Sequence, residues 1–274
     1  MRIAKKILLV ATATLLAVGL FGCGGTKSGG SGETTLVVGA TPVPHAEILE
    51  QVKPMLKEKG INLEIKEFTD YNTPNISLAE GSINANYFQH WPYLDDWNKK
   101  NGKTLTYTVA VHFEPLGLYS QKIKSLSELK PGAHIAVPND TTNEARALLL
   151  LQDNGLLKLK EGAGIAATRN DIVENPKNLV IEELEAAQLT RALPDVDAAV
   201  INGNYALDAG LSPKQAIVSE SAQSLAAKTY ANILAVRPED KDNAAIKALS
   251  EALTSPEIKK FIEEKYQGAV VPVF

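Results

Sequence analysis

The chain has 274 residues, of which 45% are hydrophobic and 22% charged, and it carries a net charge of -4. That length is enough to bury a sizeable core, as one large domain or two lobes. The acidic balance argues against nucleic acid as a partner, because a phosphate backbone needs a basic footprint.

The first residues depart from this average. Arg2, Lys5 and Lys6 precede an apolar run from Ile7 to Phe21. This is the basic then apolar order of a secretory signal. The run is shorter than the ~20 residues that a spanning helix needs. Cys23 is the only cysteine, so no internal disulfide forms. It closes the stretch "LFGC", whose order resembles a bacterial lipobox. That resemblance implies cleavage before Cys23 and a diacylglycerol on its sulfur. The following "GGTKSGGSGETT" reads as a flexible tether. We therefore expect a signal peptide over 1–22, a lipidated Cys23 with its tether over 23–33, and a mature chain anchored to a membrane outside the cytoplasm.

Beyond the tether, "TTLVVGAT" (34–41) has a buried-strand pattern. Helical spacing of Ile48, Val52 and Leu56 follows and stops at Gly60. "NLEIKEF" (62–68) alternates as a strand, 75–81 starts a second helix, and "NANYFQ" (84–89) is a short strand. Strands alternating with helices imply a parallel sheet with crossover helices. The pattern then restarts. A strand at 133–140 leads to a helix at 142–155. The segment 178–193 begins as a strand and continues as a helix. The segment 196–210 is a strand with a loop at Asn202–Gly203. A strand at 231–240 precedes a helical pair at 243–266, split at Pro256. We expect two α/β lobes with a ligand cleft between them, 34–115 plus 226–274 forming the first and 116–225 the second. The crossover falls in "FEPLGLYS" (113–120). Ligands in such sheets sit beyond the carboxyl ends of the strands.

"NANYFQHWPYLDDW" (84–97) holds both tryptophans of a chain that is only 6% aromatic. In a strand Phe88 and His90 share one face while Tyr87 and Gln89 share the other. Pro92 ends the ladder, so Trp91 to Trp97 lie at the strand's end or in the next helix. Core, nucleic-acid platform, catalytic site and pocket wall are the four readings. A platform would interleave rings with Lys and Arg, whereas Asp95 and Asp96 stand here. Catalysis by His90 would need a nucleophile and an orienting acid, and no nucleophile elbow appears. The four histidines, His45, His90, His112 and His134, show no metal-ligand spacing. No cofactor or metal is expected.

"VPNDTTNEAR" (137–146) ends a strand, offers several N-cap side chains and puts Arg146 in the first turns of a helix. A cation near a positive helix end calls for an anion. That anion is a ligand carboxylate, gripped bidentately, or a surface partner such as Glu144. Asn202 in "VINGNYA" (200–206) and Asn232 in "KTYANILAV" (228–236) stand at strand ends, as turn or capping residues or as ligand contacts.

These stretches, together with "DYNTPN" (70–75), "VENPKNL" (173–179) and "ELEAAQL" (183–189), resemble the methionine-binding lipoprotein family of NlpA type. These are substrate-binding proteins of ABC importers, and the resemblance runs from about Leu36 onward. It implies a bilobed periplasmic-binding-protein fold closing around methionine, D-methionine or a methionine dipeptide. Tyr71, Phe88, His90 and Tyr93 match the family's aromatic wall. Arg146 matches the residue that holds the carboxylate, and Asn202 and Asn232 match contacts to the amino-acid backbone. The partners implied are methionine, an importer's permease and ATPase, and the membrane through the lipid. Two departures are expected to bear on selectivity: Trp91 stands where many members have Lys, and the loop "TPVPHAE" (41–47) is unusual. An extracytoplasmic hydrolase using His90 and a surface adhesin are the alternatives.

Overall fold

The first sheet opens with β1 (Thr34–Ala40), α1 (Glu47–Lys57), β2 (Ile61–Glu67), α2 (Thr73–Ala79), β3 (Ala85–His90), α3 (Trp91–Asn101) and β4 (Thr106–Phe113). These come from a computed structural model that describes residues 34–221 and 228–274. The signal segment, Cys23 and the tether lie outside the described residues. The second sheet takes β5 (Gly117–Tyr119) and β6 (His134–Pro138), followed by α4 (Thr141–Asp153) and a separate short antiparallel pair, β7 (Lys158–Leu159) with β8 (Ile172–Glu174). It continues through β9 (Val180–Leu184), α5 (Leu189–Ala192), β10 (Ala198–Ile201), α6 (Gly203–Asp208) and β11 (Val218–Ser219). The chain then returns with β12 (Asn232–Val236), α7 (Ala244–Leu253), α8 (Pro256–Tyr266) and β13 (Val271–Pro272).

The first sheet has the order β13-β4-β12-β3-β1-β2 and the second β11-β5-β10-β6-β9. All belong to one compact unit, Glu33–Phe274. β2, β1 and β3 are parallel, as the alternation of strands and helices predicts. β12 departs from that expectation and runs antiparallel between β3 and β4. The reason is its route. It arrives from the second sheet, starts beside His90 where β3 ends, and runs back the other way.

Each sheet has its own core because each helix buries one stripe. Ile48, Leu49, Val52 and Leu56 give α1 a fully buried face against α7 and α8. Gly60, at φ 73°, ends that turn in a conformation only glycine adopts freely. In the second sheet α4 is buried nearly all round, and Leu148 and Leu151 pack on Ile135, Val137 and Val200. Leu148→Ala should cost about 2–5 kcal/mol in denaturant unfolding with an unchanged slope.

One local expectation needs correction. Asn202–Gly203 is not simply a loop: Asn202 stands at the N-cap position of α6, and Gly203 begins the helix. The crossover does fall within 113–120, where β4 of the first sheet ends at Phe113, Glu114–Leu116 links, and β5 of the second sheet opens at Gly117.

Candidate functional site

The carboxyl ends of β3, β6 and β10 and the elements that follow them converge on one cavity. Tyr71, Phe88, His90, Tyr93, Arg146, Asn202 and Asn232 all line it, and so do Gln89, Glu114, Asn143, Gly203 and Asn204. Residues of both sheets meet there. The Tyr71 hydroxyl donates to Asn204 Oδ1 at 2.5 Å, and Tyr205 donates to the Thr69 carbonyl at 3.1 Å.

One wall is aromatic. Asp70 caps the start of α2 by accepting from the Asn72 and Thr73 N–H groups, which fixes the loop carrying Tyr71. The Tyr71 ring lies 5.8 Å from both Phe88 and Tyr93, and 5.0 Å from Tyr205. Tyr93 reaches this wall from the first turn of α3 and donates to the Tyr71 carbonyl at 3.1 Å. Burial pushes the Tyr71 and Tyr93 hydroxyls far above their ordinary pKa, so both are donors.

A chain of amides sets the polar wall. Asp140, the N-cap of α4, accepts from the Asn143 backbone and side-chain N–H groups at 3.0 Å. Asn143 Oδ1 therefore faces His90 Nε2, 3.3 Å away, and receives the Asn202 Nδ2 hydrogen at 2.9 Å. His90 Nδ1 already accepts from the Tyr93 backbone N–H, so its proton sits on Nε2. Burial and then the Arg146 charge lower its pKa to about 3 and keep it neutral. The consequence is at Asn202, whose Oδ1 is buried without a hydrogen-bond partner among the described residues. A buried orphan acceptor of this kind calls for a donor.

Asn232 is set in the opposite sense. The loop after β1 folds back so that Thr41 Oγ1 meets His45 Nδ1 at 2.7 Å, and His45 Nε2 meets Asn232 Oδ1 at 3.2 Å. With its oxygen engaged, Asn232 offers its amide N–H groups to the cavity. β12 registers Asn232 between His90 of β3 and His112 of β4. His45, distant in sequence, thereby forms one buried cluster with His112 and Glu114.

Arg146 is 4% exposed. Its Nε and Nη2 form a two-point ion pair with Glu220 at 2.8 and 2.5 Å. Nη2 also donates to the Glu114 carbonyl at 2.9 Å, and the Tyr230 ring stacks 4.4 Å away. Burial alone would lower its pKa, but Glu220 more than offsets this and raises it. The anion that the helix position demands is thus Glu220, not Glu144 and not a surface acid. What Arg146 can still offer a ligand is the N–H pair on Nη1.

The NlpA lipoprotein family model matches residues 36–274. The methionine-binding lipoprotein MetQ of Bacillus subtilis is 43% identical over 98% of this chain and 99% of its own length. The chain belongs to the NlpA lipoprotein family. The D-methionine-binding lipoprotein MetQ of Salmonella typhimurium is 42% identical over 94% of each chain. A solved structure, a nutrient binding protein from Burkholderia cenocepacia bound to methionine, superposes with a TM-score of 0.83 at 49% identity. The match covers 87% of this chain and all of the other. The fold is the bilobed periplasmic-binding-protein fold of that family.

Within this NlpA chain, sequence reasoning missed part of the lining. Glu114 sits in a stretch read only as a crossover, and Asn143 was one of several polar residues in "VPNDTTNEAR". Nothing local marks Glu220 or Tyr230 as partners of Arg146. The aromatic stretch itself divides. Tyr87 and Trp97 are core, and Trp91 is 39% exposed against Tyr107, outside the cavity lining. Trp91→Lys should therefore leave ligand affinity within about twofold in calorimetry, the range of a surface substitution. Among the described residues no helix is long and apolar enough to cross a membrane.

Proposed function

We propose that this chain captures methionine, L-methionine first, outside the cytoplasm and delivers it to the permease and ATPase of an ABC importer. Cys23 carries the lipid that holds it to the membrane. Residues 34–115 plus 226–274 make one lobe and 116–225 the other, and the lobes close over the ligand.

The observation that carries this reading is the pairing of opposite polarities beside an aromatic wall. Asn202 offers a bare acceptor, while Asn232 and Arg146 offer donors. An α-amino acid presents one ammonium and one carboxylate, and Tyr71, Phe88, His90 and Tyr93 leave an apolar slot for its side chain. Rings suit a thioether, since each sulfur–aromatic contact contributes ~0.3–1.5 kcal/mol. The methionine bound by the Burkholderia cenocepacia neighbour supports the same ligand. His90 has both nitrogens engaged, and among the described residues the lining contains no Ser, Thr or Cys to act as nucleophile, which favours binding over hydrolysis.

The test is thermal unfolding after the protein has been unfolded and refolded to remove carried-over ligand. L-methionine, D-methionine, glycyl-methionine, glutamine and leucine are compared. At ~100 times its dissociation constant a ligand stabilises by about 2.7 kcal/mol, a shift of roughly 5–11 °C for a domain of this size. We expect the shift with L-methionine. A shift with D-methionine or the dipeptide alone would reassign the ligand within the same mechanism. No shift with any of the five would overturn the reading.

A further inference from the structure

We propose that Glu114, held in place by His45 and His112, receives the α-ammonium of the ligand and restricts the cavity to molecules with a free α-amine. The proposal deepens the amino-acid reading above and rests on it.

Placement comes first. The two charged groups of an α-amino acid hang on one carbon, so their receivers must be neighbours. Glu114 lines the cavity, and its own carbonyl accepts from Arg146 Nη2 at 2.9 Å. The carboxylate and the guanidinium are therefore adjacent. An ammonium has three N–H groups and needs more than one acceptor. The orphan Oδ1 of Asn202, in the same lining, is a second one.

The support behind Glu114 fits the role. Glu114 Oε1 lies 2.7 Å from His112 Nε2 and 3.4 Å from His45 Nε2. The Asn204 backbone N–H also acts on the carboxylate. The far nitrogens are spoken for: His112 Nδ1 meets the Tyr87 hydroxyl and His45 Nδ1 meets Thr41. Hydroxyl donors at Nδ1 put the imidazole protons on Nε2. Neutral His112 thus donates its N–H to Glu114, while neutral His45, whose Nε2 hydrogen goes to Asn232 Oδ1, packs beside it, and neither supplies a positive charge. The nearby Arg146 cation is already paired at two points with Glu220, which leaves the Glu114 anion open to a cation in the cavity.

The opposing lobe leaves room for this carboxylate. A Cβ at Gly203 would lie 2.6 Å from Glu114 Cβ and 2.9 Å from Oε2. Only a glycine lets the start of α6 close so near. The same three groups also have the donor set of a cation site, a different occupant that the test must separate.

Calorimetry on the refolded full chain decides, with L-methionine, N-acetyl-methionine and 4-(methylthio)butanoate, which lacks the amine. Wild type should prefer L-methionine over both by roughly a hundredfold. Glu114→Gln should weaken L-methionine by roughly tenfold to a hundredfold, the value of one charge-assisted bond, and leave the amine-free acid unchanged. Equal wild-type affinity for methionine and the amine-free acid would overturn the proposal. So would a Glu114→Gln variant that loses both ligands alike or neither. If that variant does not fold, Glu114→Asp, which withdraws the charge, gives the same comparison. Zinc chloride should give no saturable isotherm, and a one-to-one isotherm lost in Glu114→Gln would overturn the proposal in favour of a metal site. Failure to bind methionine, with amine-dependent binding of leucine or glutamine, would keep this inference and sink only the choice of methionine. Binding of no amino acid would overturn both.

Discussion

Arg146→Ala is expected to weaken L-methionine binding by roughly tenfold to a hundredfold in calorimetry, because it removes a charge-assisted bond worth ~1.5–3 kcal/mol. It should also lower the stability of the ligand-free protein. Glu220 is 8% exposed at its side chain and pairs with Arg146 at two points. Removing one member of a buried pair leaves the other uncompensated, at a cost of about 3–5 kcal/mol. Glu220→Gln separates the two roles. It keeps the guanidinium but takes away its two-point partner, so the ligand carboxylate replaces Glu220 as the bound counter-ion. Stability without ligand should fall, and the thermal shift produced by methionine should grow. Unchanged affinity in Arg146→Ala would remove Arg146 from the ligand, and an unchanged shift in Glu220→Gln would mean the two anions do not share one cation.

Acid is expected to destabilise the protein through histidines that the fold keeps neutral. His45 is lowered to about 4, and His90 and His112 to about 3, in each case mainly by burial. In the unfolded chain each titrates near 6.5. Below that pH the unfolded state takes up protons that the native state refuses. Their contribution is therefore complete above pH 6.5 and is lost as the pH falls toward 4 and 3. Three acids raised by burial act in the opposite sense between their unfolded and native pKa values: Glu114, Asp140, and Glu144, which burial and Glu183 raise to about 7. A single histidine is best isolated by difference. His90→Gln can still donate to Asn143, and it should lose about 2 kcal/mol less stability than wild type between pH 7 and pH 5. Denaturant midpoints at the two pH values measure this. Equal losses in both proteins would mean that His90 is protonated in the native state.

Much of the architecture was legible without coordinates, because local pattern carries it. The stripe Ile48, Val52, Leu56 specifies α1, and the alternation in β2 and the N-cap residues before α4 specify those elements by short-range physics. The resemblance of spaced motifs then singled out seven residues, and the fold brings all seven to one cavity. What each of them faces was not legible. Arg146 read as a bare cation at a helix start, yet its anion lies 74 residues away, and Asn232 is oriented by His45 across 187 residues. Trp91 and Tyr93 stand two apart in one aromatic run, but the first turn of α3 sends one to solvent and the other to the cavity.

The sequence by itself determined most of the strands and helices around the cavity and the residue types from which it could be built. Tertiary structure alone decided which polar atoms are left over. β12 enters antiparallel between β3 and β4, and that one insertion sets Asn232 between His90 and His112 and supplies the strand against which the cavity closes. Hydrogen bonds in a buried site are a matter of saturation. An acceptor becomes a ligand contact only when every neighbouring donor is already committed, and no local stretch of sequence records which neighbours those are.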